Sequence, residues 1–343
     1  MSSKKEMVIT NLVYLRGFSY GHNPLLIGDQ QYSNFVLLFY YSLFLFCRIF
    51  LLFSPNKIAQ KYINMSSKKE MVITDLDGTL LKSDRTISLT DIKTLDLLKN
   101  KDIIRVVATG RNIKKIEEVV KDFSLFDYFI FSSGAGVMNC NSRKIEYVQN
   151  LTKDSANRLI QFFIKKDVAF FLFHAVPKNH LFWFSQKGEI NPEYNRYYER
   201  NIDRMENLSD TDIIDTIACQ FLVILRTADE FFKLKKDIEN NFEDFKIIRA
   251  SSPYETGYTW MEIFNKNVSK GNAVKYLCDF LDIDNSNTLG IGNDYNDIDF
   301  LDFTNHSYMT GNCPDELKGK YESAPTNDEN AFSFCVSKYI NFK

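Results

Sequence analysis

Residues 71–79 read Met71-Val72-Ile73-Thr74-Asp75-Leu76-Asp77-Gly78-Thr79. Four apolar or β-branched residues in succession predict a short strand buried on both faces. The Asp-x-Asp-Gly that follows predicts a turn, so two carboxylates stand at the strand's carboxyl end. Downstream, residues 90–100 predict a helix with Ile92, Leu95 and Leu98 on one face and Ser88 or Thr90 as its cap. A second strand is expected from Ile103 to Ala108, running into Thr109-Gly110-Arg111. Ile113, Ile116, Val119, Val120 and Phe123 then make a helical stripe, and Tyr128 to Ser132 a third strand. Strand and helix in alternation call for a parallel sheet with helices on both faces, an α/β, Rossmann-like core.

The rhythm changes near residue 150. A helix at 155–166, aromatic strands near 169–175 and 180–185, a strand near 217–225, a helix near 229–241 and strands near 246–250 and 258–264 form an α+β pattern. The polar stretch 186–210 gives no clear element. The α/β rhythm resumes at Ser269, with a helix carrying Ala273, Val274, Leu277 and Leu281. A strand from Thr288 to Ile291 leads into Gly292-Asn293-Asp294-Tyr295-Asn296-Asp297. A strand at 306–310 and a helix near 331–340 complete the core. The expected division is therefore a core of residues 65–148 and 266–343 with an α+β unit, 149–265, inserted into it.

Residues 1–64 stand apart. The decamer MSSKKEMVIT occupies both 1–10 and 65–74, and the copies diverge completely afterwards, so it is not a structural repeat. Between them, Phe35 to Phe53 is apolar and aromatic, broken by Ser42 and Arg48. A membrane-spanning helix needs ~20 predominantly apolar residues, and Arg48 lies near one end, where it can snorkel. Three readings stand: an N-terminal anchor, a vestigial extension, or translated non-coding sequence with Met65 as the true start. As an anchor, the segment would be the only route to a membrane, and Lys57, Lys61, Lys68 and Lys69 against Arg16 would keep the rest of the chain in the cytosol. Otherwise the expectation is a cytoplasmic protein.

The 343 residues carry a formal net charge of −2 with both signs intermixed, so no basic stripe points to nucleic acid. Six cysteines are scattered without a Cys-x-x-Cys pair or histidines at zinc spacing, as expected of reduced, buried thiols.

In an open parallel sheet, ligands bind at the carboxyl ends of the strands. Asp75/Asp77, Thr109/Gly110, Lys270 and the run Asn293–Asp297 all fall at or beside such ends. Two carboxylates two residues apart can share a small hard cation such as Mg²⁺, which takes oxygen ligands along with substrate phosphate. One can attack phosphorus, and the other can protonate the leaving oxygen and then activate water. A hydroxyl and a backbone N–H at Thr109-Gly110 can bind phosphoryl oxygens, and Lys270 can supply positive charge against them. Taken singly, each also has a structural reading, as a strand-to-helix turn, a capping turn or a surface lysine.

Together, and in this order, the four clusters resemble the haloacid dehalogenase superfamily, specifically its Cof-type phosphatases with a large α/β (type IIB) cap. The matching motifs are Asp75-Leu76-Asp77-Gly78-Thr79-Leu80-Leu81, Ala108-Thr109-Gly110-Arg111, Met261-Glu262-Ile263 with Val268-Ser269-Lys270-Gly271, and Gly292-Asn293-Asp294-Tyr295-Asn296-Asp297, over about four-fifths of the chain. The resemblance implies that Asp75 is the nucleophile and Asp77 the acid/base. It implies that Thr109, Gly110, Lys270 and Asn296 hold the substrate's phosphate. Mg²⁺ would be held by Asp75, the Asp77 backbone carbonyl and Asn293, with Asp297 a ligand through water or an orienting residue and Asp294 an alternative ligand. The inserted unit would be the cap that selects a small phosphorylated metabolite such as a sugar phosphate, and its His174, His180, Trp183, Tyr194, Arg196 and Arg200 are candidates for touching it. Two departures stand out. The family usually has Asp where this chain has Asn293, which removes a negative charge from the metal site. It often has Asn-Gly-Ala where this chain has Ser133-Gly134-Ala135, near the expected cap hinge. Two further readings are a phosphomutase or phosphotransferase, which in this superfamily usually carries a small helical cap, and a membrane-tethered non-catalytic binding protein.

Overall fold

A computed structural model describes residues 69–208, 213–252, 254 and 257–341. The apolar segment 35–53, the first copy of the decamer and Cys47 lie outside the described residues.

The core strands are β1 (Met71–Thr74), β2 (Ile104–Ala108), β3 (Tyr128–Phe131), β4 (Gly136–Asn139), β5 (Ile145–Val148), β12 (Thr288–Gly292), β13 (His306–Met309) and β14 (Glu322–Ser323). They form one sheet in the order β14-β13-β12-β1-β2-β3-β4-β5. The strands from β14 to β3 run parallel. The sequence rhythm did not reveal the last two, which return antiparallel as a hairpin. β1 lies between β12 and β2, so the chain leaves β1 toward one edge and later returns to fill the other. The carboxyl end of β1 is therefore the topological switch point at which such sheets bind ligands.

Helices cover both faces. Val72, Val107 and Phe129 meet Leu95 and Leu98 of α1 (Leu89–Asn100), Ile116 of α2 (Ile113–Val119) and Phe332, Val336 and Tyr339 of α8 (Ala331–Asn341). On the other face Met71, Ile73 and Val106 meet Ala273, Val274 and Leu277 of α6 (Lys270–Leu281) and Phe300 and Leu301 of α7 (Ile298–Phe303). This is the strand alternation expected of a parallel sheet buried on both sides. The stripe expected to run to Phe123 stops earlier. Val120 is extended, at φ −100° and ψ 110°, and Phe123 buries its ring from a separate 3₁₀ turn. Adjacent β-branched Val119 and Val120 are poor helix continuers.

Between β5 and α6 the chain builds a second sheet, in the order β10-β11-β9-β6-β7-β8. Its strands are β6 (Phe170–His174), β7 (Phe182–Ser185), β8 (Met205–Asn207), β9 (Ala218–Leu225), β10 (Phe245–Ser251) and β11 (Thr259–Asn265). Phe170, Phe221, Val223, Met261 and Ile263 pack on α3 (Lys153–Lys165) and α5 (Ala228–Glu239). The opposite face, with Phe171, Leu222 and Ile224, is partly covered by α4 (Pro192–Arg200). Both α4 and β8 fall inside the stretch that the sequence left unread. Asn191 caps α4 and Pro192 opens it, a normal helix start, but its buried stripe is tyrosine.

Five cysteines among the described residues, Cys140, Cys219, Cys278, Cys313 and Cys335, are free and buried. Among the described residues no helix is long and apolar enough to cross a membrane.

Candidate active site

Asp75 leaves β1 with its N–H donating to Ile291 O across the sheet (2.8 Å), which ties the first motif to the fourth. Its carboxyl is buried and accepts at Oδ1 from Lys270 Nζ at 2.7 Å. Burial pushes its pKa up to about 8 against the pull of Lys270, with Asp297 and Asp77 pushing the same way. Lys270 opens α6 behind Ser269, whose Oγ accepts from Asn272 N (3.0 Å). Its Nζ also donates to Asp297 Oδ1 (2.6 Å) and Asn296 Oδ1 (3.4 Å). Burial works to lower the Lys270 pKa, but the two carboxylates outweigh it and hold the ammonium charged.

Asp297 is fully buried. Its Oδ2 accepts from the N–H groups of Asn293 (2.8 Å) and Asp294 (2.9 Å), folding the fourth-motif loop over its own carboxylate. A Cβ on Gly292 would come within 2.6–2.8 Å of the Asp297 side chain, so only glycine fits there. Asp294 caps the next turn, accepting from Tyr295 N at 2.8 Å. One terminal atom of the Asn293 amide lies 3.0 Å from Asp77 O, 3.1 Å from Thr79 Oγ1 and 3.3 Å from Asp75 Oδ2. With nitrogen there, it donates to those oxygens. With oxygen there, carboxylate, carbonyl and amide oxygens converge on one point, as a hard cation requires. Among the described residues no three His, Cys, Asp or Glu side chains form a metal cluster. The donors that converge here are one carboxylate, one carbonyl and one amide, a set that fits Mg²⁺. Gly78 makes room for it: it sits at φ +73°, and a Cβ would lie 2.5 Å from Asn293 Nδ2. Asn312 Nδ2 donates to Gly78 O (2.8 Å) from the loop after β13 and braces the same turn.

Asp77 is half exposed and held by Arg111 in a two-pronged ion pair, Nε to Oδ2 at 2.7 Å and Nη2 to Oδ1 at 2.6 Å. Such bidentate pairs are strong and directional. Local sequence assigns Arg111 no role, because the contact joins two loops 34 residues apart. Thr109 is buried at the end of β2, and its Oγ1 accepts from Arg111 N (3.1 Å). A Cβ on Gly110 would have Ser133 Oγ at 3.5 Å and Asn296 Nδ2 at 3.9 Å, so the Thr109-Gly110 turn, Asn296 and Lys270 border one space.

The second sheet reaches this space through the turn after β3. Ser132 and Ser133 both take left-handed φ, +49° and +55°. Asn179 Nδ2 donates to Ser132 Oγ (2.7 Å), and Ser133 Oγ donates to Glu262 Oε2 on β11 (2.9 Å). Glu262 also accepts from Gln220 Nε2 at 3.5 Å, and burial raises its pKa despite Ser133 and Lys270. Of the candidates on the inserted unit, Tyr194 is interior, stacked on Phe171 at 4.4 Å and donating to Ser185 O. His174 stacks on Trp183 at 3.8 Å. A ring nitrogen of His174 and one of His180 are buried without a partner among the described residues. Arg196 and Arg200 flank the Tyr254 ring at 4.3 and 4.9 Å.

Residues 72–333 match the haloacid dehalogenase-like hydrolase family model. A phosphoglycolate phosphatase of Picrophilus torridus is 26% identical over 250 residues, 73% of this chain and 82% of that protein. A haloacid dehalogenase-like hydrolase from B. subtilis superposes with a TM-score of 0.63 at 19% identity, covering 78% of this chain and 99% of the other. A subclass IIB sugar phosphatase superposes with a TM-score of 0.64 at 17% identity, covering 79% and 99%. The chain belongs to the haloacid dehalogenase-like hydrolase family. Within it, the chain is a phosphatase of the Cof type, with the second sheet and its helices as an inserted α+β cap.

Proposed function

We propose that the chain is a Mg²⁺-dependent phosphomonoester hydrolase that works through an aspartyl-phosphate on Asp75. The observation that carries this is the position of Lys270 Nζ, shared among Asp75 Oδ1, Asp297 Oδ1 and Asn296 Oδ1 while the Asn293 amide lies 3.3 Å from Asp75 Oδ2 and 3.0 Å from the Asp77 carbonyl oxygen. Asp75, Asp77 O and Asn293 would hold Mg²⁺, which when bound neutralises negative charge beside the reacting phosphoryl group. Asp297 has its oxygens committed to Lys270 and two backbone N–H groups, which suits an orienting role, and Asp294 is committed to its cap. Thr109 Oγ1, the Gly110 N–H, Lys270 and Asn296 border the space for the phosphoryl oxygens, and Lys270 counters the charge that builds on them. The Asp75 carboxylate attacks phosphorus as the P–O bond to the leaving group breaks. Asp77, freed from Arg111 and having taken up a proton from solvent, gives that proton to the leaving oxygen. Asp77 then takes a proton from water, whose oxygen bonds to phosphorus as the bond to the Asp75 oxygen breaks, releasing inorganic phosphate and regenerating the Asp75 carboxylate.

The substrate class is a small phosphorylated metabolite. The sugar phosphatase among the structural relatives and the polar groups of the cap, Glu262, Gln220 and the flanking arginines, support a polyhydroxylated one. The five buried free thiols support a reducing, cytoplasmic setting. The test is hydrolysis of p-nitrophenyl phosphate by the purified full chain with Mg²⁺ and with EDTA, together with Asp75→Asn. Mg²⁺-dependent turnover that disappears in the variant is expected. Turnover surviving in a contaminant-free Asp75→Asn preparation would overturn the assigned nucleophile.

A further inference from the structure

Beside the reaction site, a cavity of about 340 Å³ opens between α5 and β10 of the cap and the segment that follows β12. Its volume falls in the range of small-molecule pockets. Lys235, Lys246 and Arg249 line it against a single acidic side chain, Asp299. Lys235 spends part of its charge on Glu239, at 3.7 Å. Among the described residues neither Lys246 nor Arg249 has an ion-pair partner. The Arg249 guanidinium lies 4.5 Å from the centre of the Tyr295 ring, which fixes a cation on an aromatic wall. Phe232 also lines it with over half its surface exposed, so its ring is open to a bound molecule. Asn296 lines this cavity and also reaches Lys270 Nζ. A molecule held at Lys270 therefore has Asn296 as a common wall with the cavity.

We propose that this cavity is a second subsite of the same reaction centre and that it receives an anionic group carried on the substrate's leaving portion. The preferred substrate would then be a phosphate monoester bearing a second negative charge, a carboxylate or a further phosphate. The proposal rests on the phosphatase reading above. It adds a cationic, aromatic-walled pocket that selects among phosphate esters by what lies beyond the scissile bond. Arg249 and Lys246 act as specificity determinants, since they meet the remote charge and not the reacting phosphorus.

The experiment compares phenyl phosphate with ring-carboxylated phenyl phosphates whose carboxylate sits on the ring or on arms of one or two methylenes. Neutral carboxamide analogues of matching size serve as controls. The expected result is a kcat/KM for the best carboxylated ester about tenfold or more above that of its carboxamide at low salt. That preference should fall about tenfold in Arg249→Gln and likewise in Lys246→Glu. Calorimetric binding of the same esters to wild type and variants is measured alongside. Wild-type indifference to the carboxylate, or an equal loss for charged and neutral esters in both variants, overturns the proposal. If no ester is turned over, the phosphatase reading fails, while charge-selective binding lost in the variants would still uphold the subsite. Binding without charge selectivity would overturn it.

Discussion

Asn293 occupies the place where an acidic residue would bring a second negative charge to the converging oxygens. In Asn293→Asp, a carboxylate oxygen falls about 3.3 Å from Asp75 Oδ2. Above about pH 8, where Asp75 has lost its proton in the absence of metal, two unit charges at that separation repel by about 5 kcal/mol at an effective dielectric of 20. Lys270, 2.7 Å from the other oxygen of Asp75, and water at the half-buried Asn293 offset most of this. A net loss of roughly 1–2 kcal/mol in EDTA at about pH 9 is expected, seen as a fall in Tm of roughly 2–6 °C. With Mg²⁺ the sign reverses, because the added charge then faces a cation. Saturating Mg²⁺ should restore the variant to the wild-type Tm or above it, and the Mg²⁺ concentration for half-maximal aryl phosphate hydrolysis should fall about tenfold or more. Thermal unfolding with and without EDTA and a Mg²⁺ titration of initial rates read both effects. A variant destabilised equally in Mg²⁺ and EDTA, with an unchanged Mg²⁺ requirement, would refute the placement of Asn293 at the cation.

Lys270→Met leaves Asp75 and Asp297 buried without their shared cation and should lower stability by about 3–5 kcal/mol in urea unfolding. A variant as stable as the parent would show that Lys270 does not hold them. Gly78→Ala forces a Cβ into left-handed backbone and against the Asn293 amide, so a loss of about 1 kcal/mol or more and a raised Mg²⁺ requirement are expected. Retention of both values would mean the turn re-forms without cost. In EDTA, Asp75 holds its proton up to about pH 8, against about 4 in the unfolded chain. Its contribution to stability is thus complete below about pH 4 and lost as the pH rises through 8. Asp75→Asn should therefore flatten the fall in Tm across that window, and an unchanged slope would count against the buried, raised carboxyl.

What could be read from the sequence depended on where the signal was carried. β1, β2 and β12 are short apolar runs buried on both faces, and each ends abruptly in polar residues, so the strand and the ligand-facing edge are announced by the same few letters. The β4–β5 hairpin was missed because its outer strand, Ile145-Glu146-Tyr147-Val148, is only partly buried and carries no clean alternation. The helix Pro192–Arg200 was missed for a different reason. Its inward face is Tyr194 and Tyr197, and a hydropathy pattern scores those rings as polar although they pack on Phe171.

The site divides along the same line. Asp75, Thr109, Lys270 and the Asn293–Asp297 run were readable because each sits at a strand end or helix start, where local sequence fixes the direction of the chain. Arg111, Ser133, Glu262 and Asn312 act through contacts between segments distant in sequence, the longest joining Asn312 to Gly78 across 234 residues. That difference bears on mechanism. The locally encoded residues are packed into a rigid sheet edge, with Lys270 and Asp297 buried and fully partnered. The non-local ones make the joints that can change: Arg111 to the half-exposed Asp77, and the paired left-handed serines to Asn179 and Glu262 of the cap. A cap that moves must break or remake the serine contacts, and Ser133 stands beside Gly110 at the edge of the proposed phosphate space. The serine turn that meets the cap is in turn tied to the Thr109–Arg111 loop, Ser132 N donating to Arg111 O (2.9 Å) and Ser133 N to Thr109 O (3.0 Å). The usual Asn at residue 133 would adopt left-handed backbone more readily than Ser, so the substitution here exchanges backbone ease for the Ser133 hydroxyl's bond to Glu262.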